Sequence, residues 1–292
     1  MKIRHLRLLC VAAVIPAMLA LSACGDSSAP SMSNAPAAQG GGGNTNTLES
    51  VKDEGKIVVG VKFDTMPFGF VPEGQSEPAG FDIDLASEFG KRLGVDVEFV
   101  QVTTKNRMPN LETGKIDMIM ASMVKTEERE KVIDFSKLYF SDGQTLLVLA
   151  DSPITGVDDL AGKTVSLAQG GFEGANVVAA VPDVKILSYQ SWPEALQAML
   201  RGESDAVSST VGVLSGLSSS AIAAGKQVKT VGDEFADGPV AAGFRKGDDE
   251  LRQAFDDALV DMVNDGTYEK ISNKWWSDVR SEPFQVDTSS SK

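Results

Sequence analysis

The sequence predicts an α/β chain of mostly parallel sheets with helices on both faces, and three observations carry that prediction. Short β-rich runs alternate with helical patterns from Leu48 onward, at the spacing that strand–helix–strand units need. Glycines stand directly after three of the helical patterns, at Gly94, Gly114 and Gly202, where a residue free to turn left-handed ends a helix. The length, 292 residues at 42% hydrophobic and 7% aromatic content, suits globular material in two domains.

The chain opens on an export signal. Lys2, Arg4 and Arg7 precede an apolar run from Leu8 to Ala20, too short for a bilayer core but right for the centre of a signal peptide. The run ends in Leu21-Ser22-Ala23-Cys24, which resembles the bacterial lipobox; residues 1–23 would then be cleaved and Cys24 acylated. Three positive charges and no acids leave with that segment, taking the net charge from −14 to −17. His5, Cys10 and Cys24 are the histidine and the two cysteines. The mature chain would therefore have no free thiol or imidazole, which excludes a Ser-His-Asp triad, a Cys-His pair, a thiol redox centre and a zinc site. The acidic balance speaks against nucleic acid, whose phosphates call for Lys and Arg. Residues 24–47 hold the lipidated Cys and a run of Gly, Ser, Ala, Pro, Asn, Gln and Thr, a composition that cannot bury a core and reads as a flexible linker.

In the body, Ile57 to Val61, Val95 to Val100, Ile116 to Met120, Leu146 to Ala150, Thr164 to Ala168, Val184 to Ser188 and Val240 to Phe244 read as strands. Phe81 to Leu93, Lys105 to Thr113, Trp192 to Arg201 and Val211 to Leu217 read as helices. Leu251, Phe255, Leu259 and Met262 share one helical face that opens at Asp248-Asp249 and closes at Gly266; a last helix runs from Tyr268 to Trp276. Both are packing helices, and Trp275-Trp276 is assigned to the core.

Open α/β sheets bind ligands beyond the carboxyl ends of their strands. The loops there hold cations and hydroxyls: Lys62 closes a strand, Arg107 opens a helix, and Arg129 lies in Thr126-Glu127-Glu128-Arg129, with Ser122, Thr126 and Thr210 adding hydroxyls. From the residues alone two readings stand. The three cations form an anion site, or Lys62 and Arg107 are solvated and Arg129 pairs with glutamates on its own helix face. Asp82 and Asp84 follow Gly80-Phe81 at a helix start, where acids suit the helix dipole.

Gly80-Phe81-Asp82-Ile83-Asp84-Leu85-Ala86, Gly114-Lys115-Ile116-Asp117, Thr126-Glu127-Glu128-Arg129 leading to Asp134-Phe135-Ser136, Gly202-Glu203-Ser204-Asp205-Ala206 and Gly266-Thr267-Tyr268-Glu269-Lys270-Ile271 together resemble the extracellular solute-binding proteins, family 3, of polar amino-acid ABC importers. The resemblance runs from about Leu48 to Trp276. It implies a two-lobed periplasmic-binding-protein-like (type II) fold, each lobe a doubly wound sheet, joined by two crossing strands and closing on a ligand like a hinged trap. The crossings fall near Ser141 to Leu146 and Ala236 to Ala241. Lobe one is then 48–143 with 240–280, lobe two 146–236, and 281–292 a C-terminal tail.

Carried over position by position, the resemblance implies that Arg129 grips a ligand α-carboxylate and that Ser122 assists. Val124 stands where the family usually has a hydroxyl. Lys62 and Arg107 look like the aspartate/glutamate-binding branch, in which such residues receive a second carboxylate, and Trp192 occupies the position of a closing aromatic. Thr210 stands where the family normally has the Asp that binds the α-ammonium group, and a buried ammonium with no anion is costly. Either a nearby residue such as Asp64 takes that role, or the ligand lacks an ordinary α-amino group. Gly171 and Phe172 replace the usual Ser/Thr pair, leaving backbone N–H groups to meet a carboxylate.

The resemblance therefore implies an exported receptor, lipid-anchored to the cell membrane and either periplasmic or at the cell surface. It would act as a monomer, hand glutamate, aspartate or a related dicarboxylate to an ABC importer permease, and need no cofactor or metal. Two other readings stand beside it: a cyclohexadienyl-dehydratase-like enzyme on the same fold, and a surface antigen that has lost amino-acid binding.

Overall fold

The structure, a computed structural model, describes residues 47–280 and 282–289; the signal segment, Cys24 and the linker up to residue 46 lie outside the described residues. The chain first forms helix α1 (Thr47–Glu54), then strand β1 (Lys56–Val61) and a small hairpin of β2 (Asp64–Thr65) and β3 (Gly69–Phe70). Helix α2 (Phe81–Leu93) follows, then β4 (Asp96–Gln101), α3 (Arg107–Glu112), β5 (Met118–Met120), α4 (Glu127–Glu130) and the 17-residue strand β6 (Ile133–Leu149). Next come a 3₁₀ turn at Val157–Leu160, β7 (Thr164–Ala168), α5 (Glu173–Ala180), β8 (Lys185–Tyr189), α6 (Trp192–Leu200), β9 (Ala206–Thr210) and α7 (Val211–Ala223). The 18-residue strand β10 (Val228–Arg245), α8 (Asp249–Asn264) and α9 (Thr267–Trp276) complete it.

The strands lie in the order β4-β1-β5-β10-β6-β9-β7-β8. At each end the neighbours are parallel, β1 with β4 and β5, and β7 with β8 and β9. In the middle β10 runs antiparallel to β5 and β6, and β6 antiparallel to β9. The sheet is thus mixed, with a parallel set of strands in each lobe and two long strands that belong to both. Short strands were expected at Leu146 to Ala150 and Val240 to Phe244, but these are only the ends of β6 and β10. The missing halves carry Ser141-Asp142-Gly143 and Gly232-Asp233, turn-forming residues that hide a strand from propensity. Here they pair with each other in the middle of the sheet, with Ser141 opposite Pro239 and Gln144 opposite Ala236, and the register slips between Val231 and Ala236.

Two helices escaped the sequence reading. α1 begins at Thr47, a residue assigned to the linker; it is buried, and its hydroxyl accepts from Arg245 Nη2 at 2.8 Å. α5 was missed because Gly174, Asn176 and two valines are weak helix formers; packing decides it, with Val177 fully buried.

The assignment of the tryptophans to the core holds for Trp276, 2% exposed and stacked on Phe140 with ring centroids 4.3 Å apart. Phe68 and Phe81 pack edge-on against it, so an aromatic cluster lies directly under the start of the crossing strands. Trp275 is half-buried instead and donates to Asp84 Oδ2 at 2.7 Å. The tail is not free: Phe284 meets the Phe140 ring, and Lys137 donates to the Ser289 carbonyl.

Candidate functional site

Lys62 follows β1 and is fully buried; Asp64 Oδ1 lies 3.0 Å from its Nζ, which has no well-aligned hydrogen-bond acceptor. Burial pushes the Lys62 ammonium down from its ordinary range, and Asp64 partly restores it. Arg107 opens α3 and is 3% exposed, donating from Nη1 to the Ala121 carbonyl at 2.6 Å. Burial, and after it the neighbouring Arg129 guanidinium, work against its charge.

Ser122 holds a left-handed backbone at φ 45°, the one non-glycine residue to do so among the described residues. Asp82 secures it. Its Oδ2 accepts from the Ser122 N–H at 2.7 Å and its Oδ1 from the Tyr139 hydroxyl at 2.8 Å. Asp82 is fully buried, and burial pushes its carboxyl up to about 7 against the Ser122 amide, the Tyr139 hydroxyl and the Arg107 charge. Asp82 stands in the first turn of α2 as expected, and its carboxylate also holds the loop at the end of β5 in place.

Arg129 sits in α4, whose start is capped by the Thr126 hydroxyl accepting from the Arg129 N–H. Its guanidinium donates to the Val124 carbonyl at 2.5 Å and, across the cleft, to the Gly170 carbonyl at 3.0 Å. These carbonyls hold it, not the glutamates beside it in α4.

On the other side, Thr210 ends β9 and stands before α7. Asp142 of β6 accepts from the Gly212 N–H at 2.6 Å, with the Thr210 hydroxyl beside it. Burial pushes Asp142 up to about 7, and those two donors hold it down. Trp192 begins α6 behind an Ser191 cap, whose hydroxyl accepts from the Glu194 N–H.

Arg107, Ser122, Val124, Phe172, Trp192 and Thr210, six of the singled-out residues, line one small, tightly closed cavity with Phe68, Thr104, Glu173, Val213 and Val240. The remaining four stand apart. Arg129 and Gly171 face a wider cleft that shares Val124 and Phe172 with the cavity, Asp64 faces an apolar groove beside Trp192, and Lys62 is sealed behind the β2–β3 hairpin. All three cations are buried, and each already has a protein partner. Of the three cations expected to meet around a ligand, Arg107 lines this cavity while Arg129 and Lys62 lie beside it.

Glu173 is the residue the sequence reading missed. It is the first residue of α5, 5% exposed, and its Oε1 lies 3.4 Å from Ser209 Oγ. Oε2 has no hydrogen-bond partner. Burial raises its pKa, while its own amide, Arg129 and Arg107 oppose the rise. Gly171 lies against it: a Cβ there would overlap Oε2 and push the carboxylate aside. The only signal was an acid directly after a Gly-Gly-Phe loop, legible once a helix is known to begin there. With Asp64 and Glu173 among Lys62, Arg107 and Arg129, the fixed charges sum to +1 rather than +3. Such a set can hold a carboxylate and an ammonium together more readily than it can hold two carboxylates. Among the described residues no group of three His, Cys, Asp or Glu could hold a metal ion.

The family model of the bacterial extracellular solute-binding proteins, family 3, matches residues 57–278. The ABC transporter glutamine-binding protein GlnH of Bacillus subtilis (strain 168) is 36% identical over 89% of this chain and 93% of its own. A glutamine-binding protein of Geobacillus stearothermophilus is 41% identical over 59% of this chain and 68% of its own. Among solved structures, an ancestral arginine-binding protein bound to glutamine superimposes with a TM-score of 0.72 at 38% identity, covering 76% of this chain and 98% of that one.

Proposed function

Because this chain belongs to the bacterial extracellular solute-binding proteins, family 3, a family of transport proteins and not enzymes, we propose that it is the membrane-tethered receptor of an amino-acid ABC importer. It acts outside the cytoplasm as a monomer, held by lipid on Cys24, and binds a polar amino acid between its lobes. Among the described residues no helix is long and apolar enough to cross a membrane; a lipid at Cys24 would supply the attachment. The proposed lobes are 48–143 with 240–280, and 146–236. The observation that carries this reading is the cavity itself. Arg107, Ser122 and Val124 from one lobe and Phe172, Glu173, Trp192 and Thr210 from the other enclose it, with charged and hydroxyl groups set in apolar walls.

For the ligand we propose glutamine before glutamate. Asp64 neutralises Lys62 at 3.0 Å, and two relatives are named for glutamine. The acidic alternative draws on Arg107, whose hydrogen bonds go to the Ala121 and Ser122 carbonyls and not to a carboxylate. Arg129 is proposed to take the ligand α-carboxylate, exchanging its contact with the Gly170 carbonyl for the ligand.

A thermal-shift panel of glutamine, glutamate, aspartate, histidine, arginine, succinate and malate tests the reading, since a ligand that binds only the folded state must stabilise it. Glutamine should raise Tm most. A rise with succinate or malate equal to that with glutamine would contradict the ligand class, and no rise with any of them would favour a protein that has lost binding.

A further inference from the structure

An amino acid brought into a closed cavity carries its ammonium with it, and a desolvated ammonium needs an anionic acceptor. The lining of this cavity offers few. Ser122 donates its hydroxyl to the Ala121 carbonyl at 2.9 Å. Thr210 lies against Asp142, and Asp64 is outside the cavity and paired with Lys62. Among the residues that line the cavity, one is acidic: Glu173. It is nine-tenths buried, its Oε2 has no hydrogen-bond partner, and it bears on every cation of the site, Lys62, Arg107 and Arg129. A buried carboxylate oxygen without a hydrogen-bond partner calls for an explanation, and a ligand ammonium supplies one.

Resting on the amino-acid-receptor reading above, we infer that Glu173 is the specificity residue that accepts the ligand's α-ammonium group, reaching the cavity from the start of α5 on the side where Thr210 has no charge to offer. The groups around it fit that role. Arg129 and Arg107 keep it inclined to ionise, Ser209 orients Oε1 from β9, and Gly171 leaves room for Oε2. The ligand class narrows accordingly: α-amino acids with a free ammonium, in preference to hydroxy acids or plain diacids of the same length.

The test compares wild type with Glu173→Gln, which keeps the shape and removes the charge, by calorimetric titration with L-glutamine and with its α-hydroxy analogue, where a hydroxyl replaces the ammonium. The expected result is a loss of at least 30-fold in glutamine affinity, with the hydroxy analogue changed less than threefold. Adding Thr210→Asp to Glu173→Gln should recover part of the glutamine affinity. Equal loss for both ligands would show a structural role and overturn the inference, as would unchanged glutamine binding. Wild type that binds neither glutamine nor any other amino acid of the panel would instead overturn the receptor reading, so the two failures are distinct. Melting of Glu173→Gln without ligand confirms that it folds.

Discussion

Asp64 Oδ1 lies 3.0 Å from the Nζ of fully buried Lys62, so a cation that the sequence offered to a ligand is already claimed two residues along the chain. Removing one member of a buried ion pair strands the other, at a cost of about 3 kcal/mol. Asp64→Asn is therefore expected to lower Tm by roughly 6–12 °C for a chain of this size. The freed charge should also move the preference from glutamine toward glutamate, which a thermal-shift comparison of the two ligands on the variant reads directly.

Asp82→Ala leaves two buried donors, the Ser122 N–H and the Tyr139 hydroxyl, without their acceptor. Each unsatisfied donor costs about 1–3 kcal/mol. Denaturant melts should show a loss of about 2–6 kcal/mol. Ligand affinity should fall with it, because the Asp82 carboxylate anchors the amide of Ser122, which holds a left-handed conformation at φ 45°.

Stability should also fall as pH rises toward 8. Asp82 and Asp142 are each pushed up to about 7 by burial, whereas in the unfolded chain such groups titrate near 3.9. Between those values the folded state keeps protons that the unfolded state releases. The advantage is full below the lower value and is lost as pH rises through about 7, at up to roughly 1.4 kcal/mol per pH unit for each group. Melting curves of the unliganded protein at pH 5 and pH 8 should show this, and Asp142→Asn should flatten the dependence.

The fold class, the parallel strands β1, β4, β5, β7 and β8 and most helices were legible because their periodicity and glycine stops are local signals, whereas β9 was not read as a strand. The length of β6 and β10 was not, because Asp142, Gly143 and Gly232 read as turns until each strand finds the other as partner. At the site, cation positions were legible and their partners were not. Lys62 could be read as a solvated charge or a ligand contact, and the structure buries it beside Asp64 instead. Glu173 was hidden for the same reason as α5. A weak helix gives no warning that its first residue is anchored inside a cavity.

Gly216 of α7 packs so closely on the loop between β2 and β3 that a Cβ there would overlap the Met66 carbonyl oxygen. The two elements come from opposite sides of the cleft, so Gly216→Ala should keep them from meeting. The expected outcome is at least a tenfold loss in ligand affinity by calorimetry, with unliganded melting shifted by less than about 2 °C, roughly 0.5 kcal/mol in a domain of this size.

The most direct test of the account is a titration of Tm with L-glutamine on wild type and Arg107→Ala side by side. Wild type should show a saturable rise, worth about 2.7 kcal/mol at a hundredfold excess over Kd, and the variant little or none. A wild-type Tm that stays flat, or a rise of the same size in both proteins, would mean that the cavity around Arg107 and Glu173 is not where an amino acid is held.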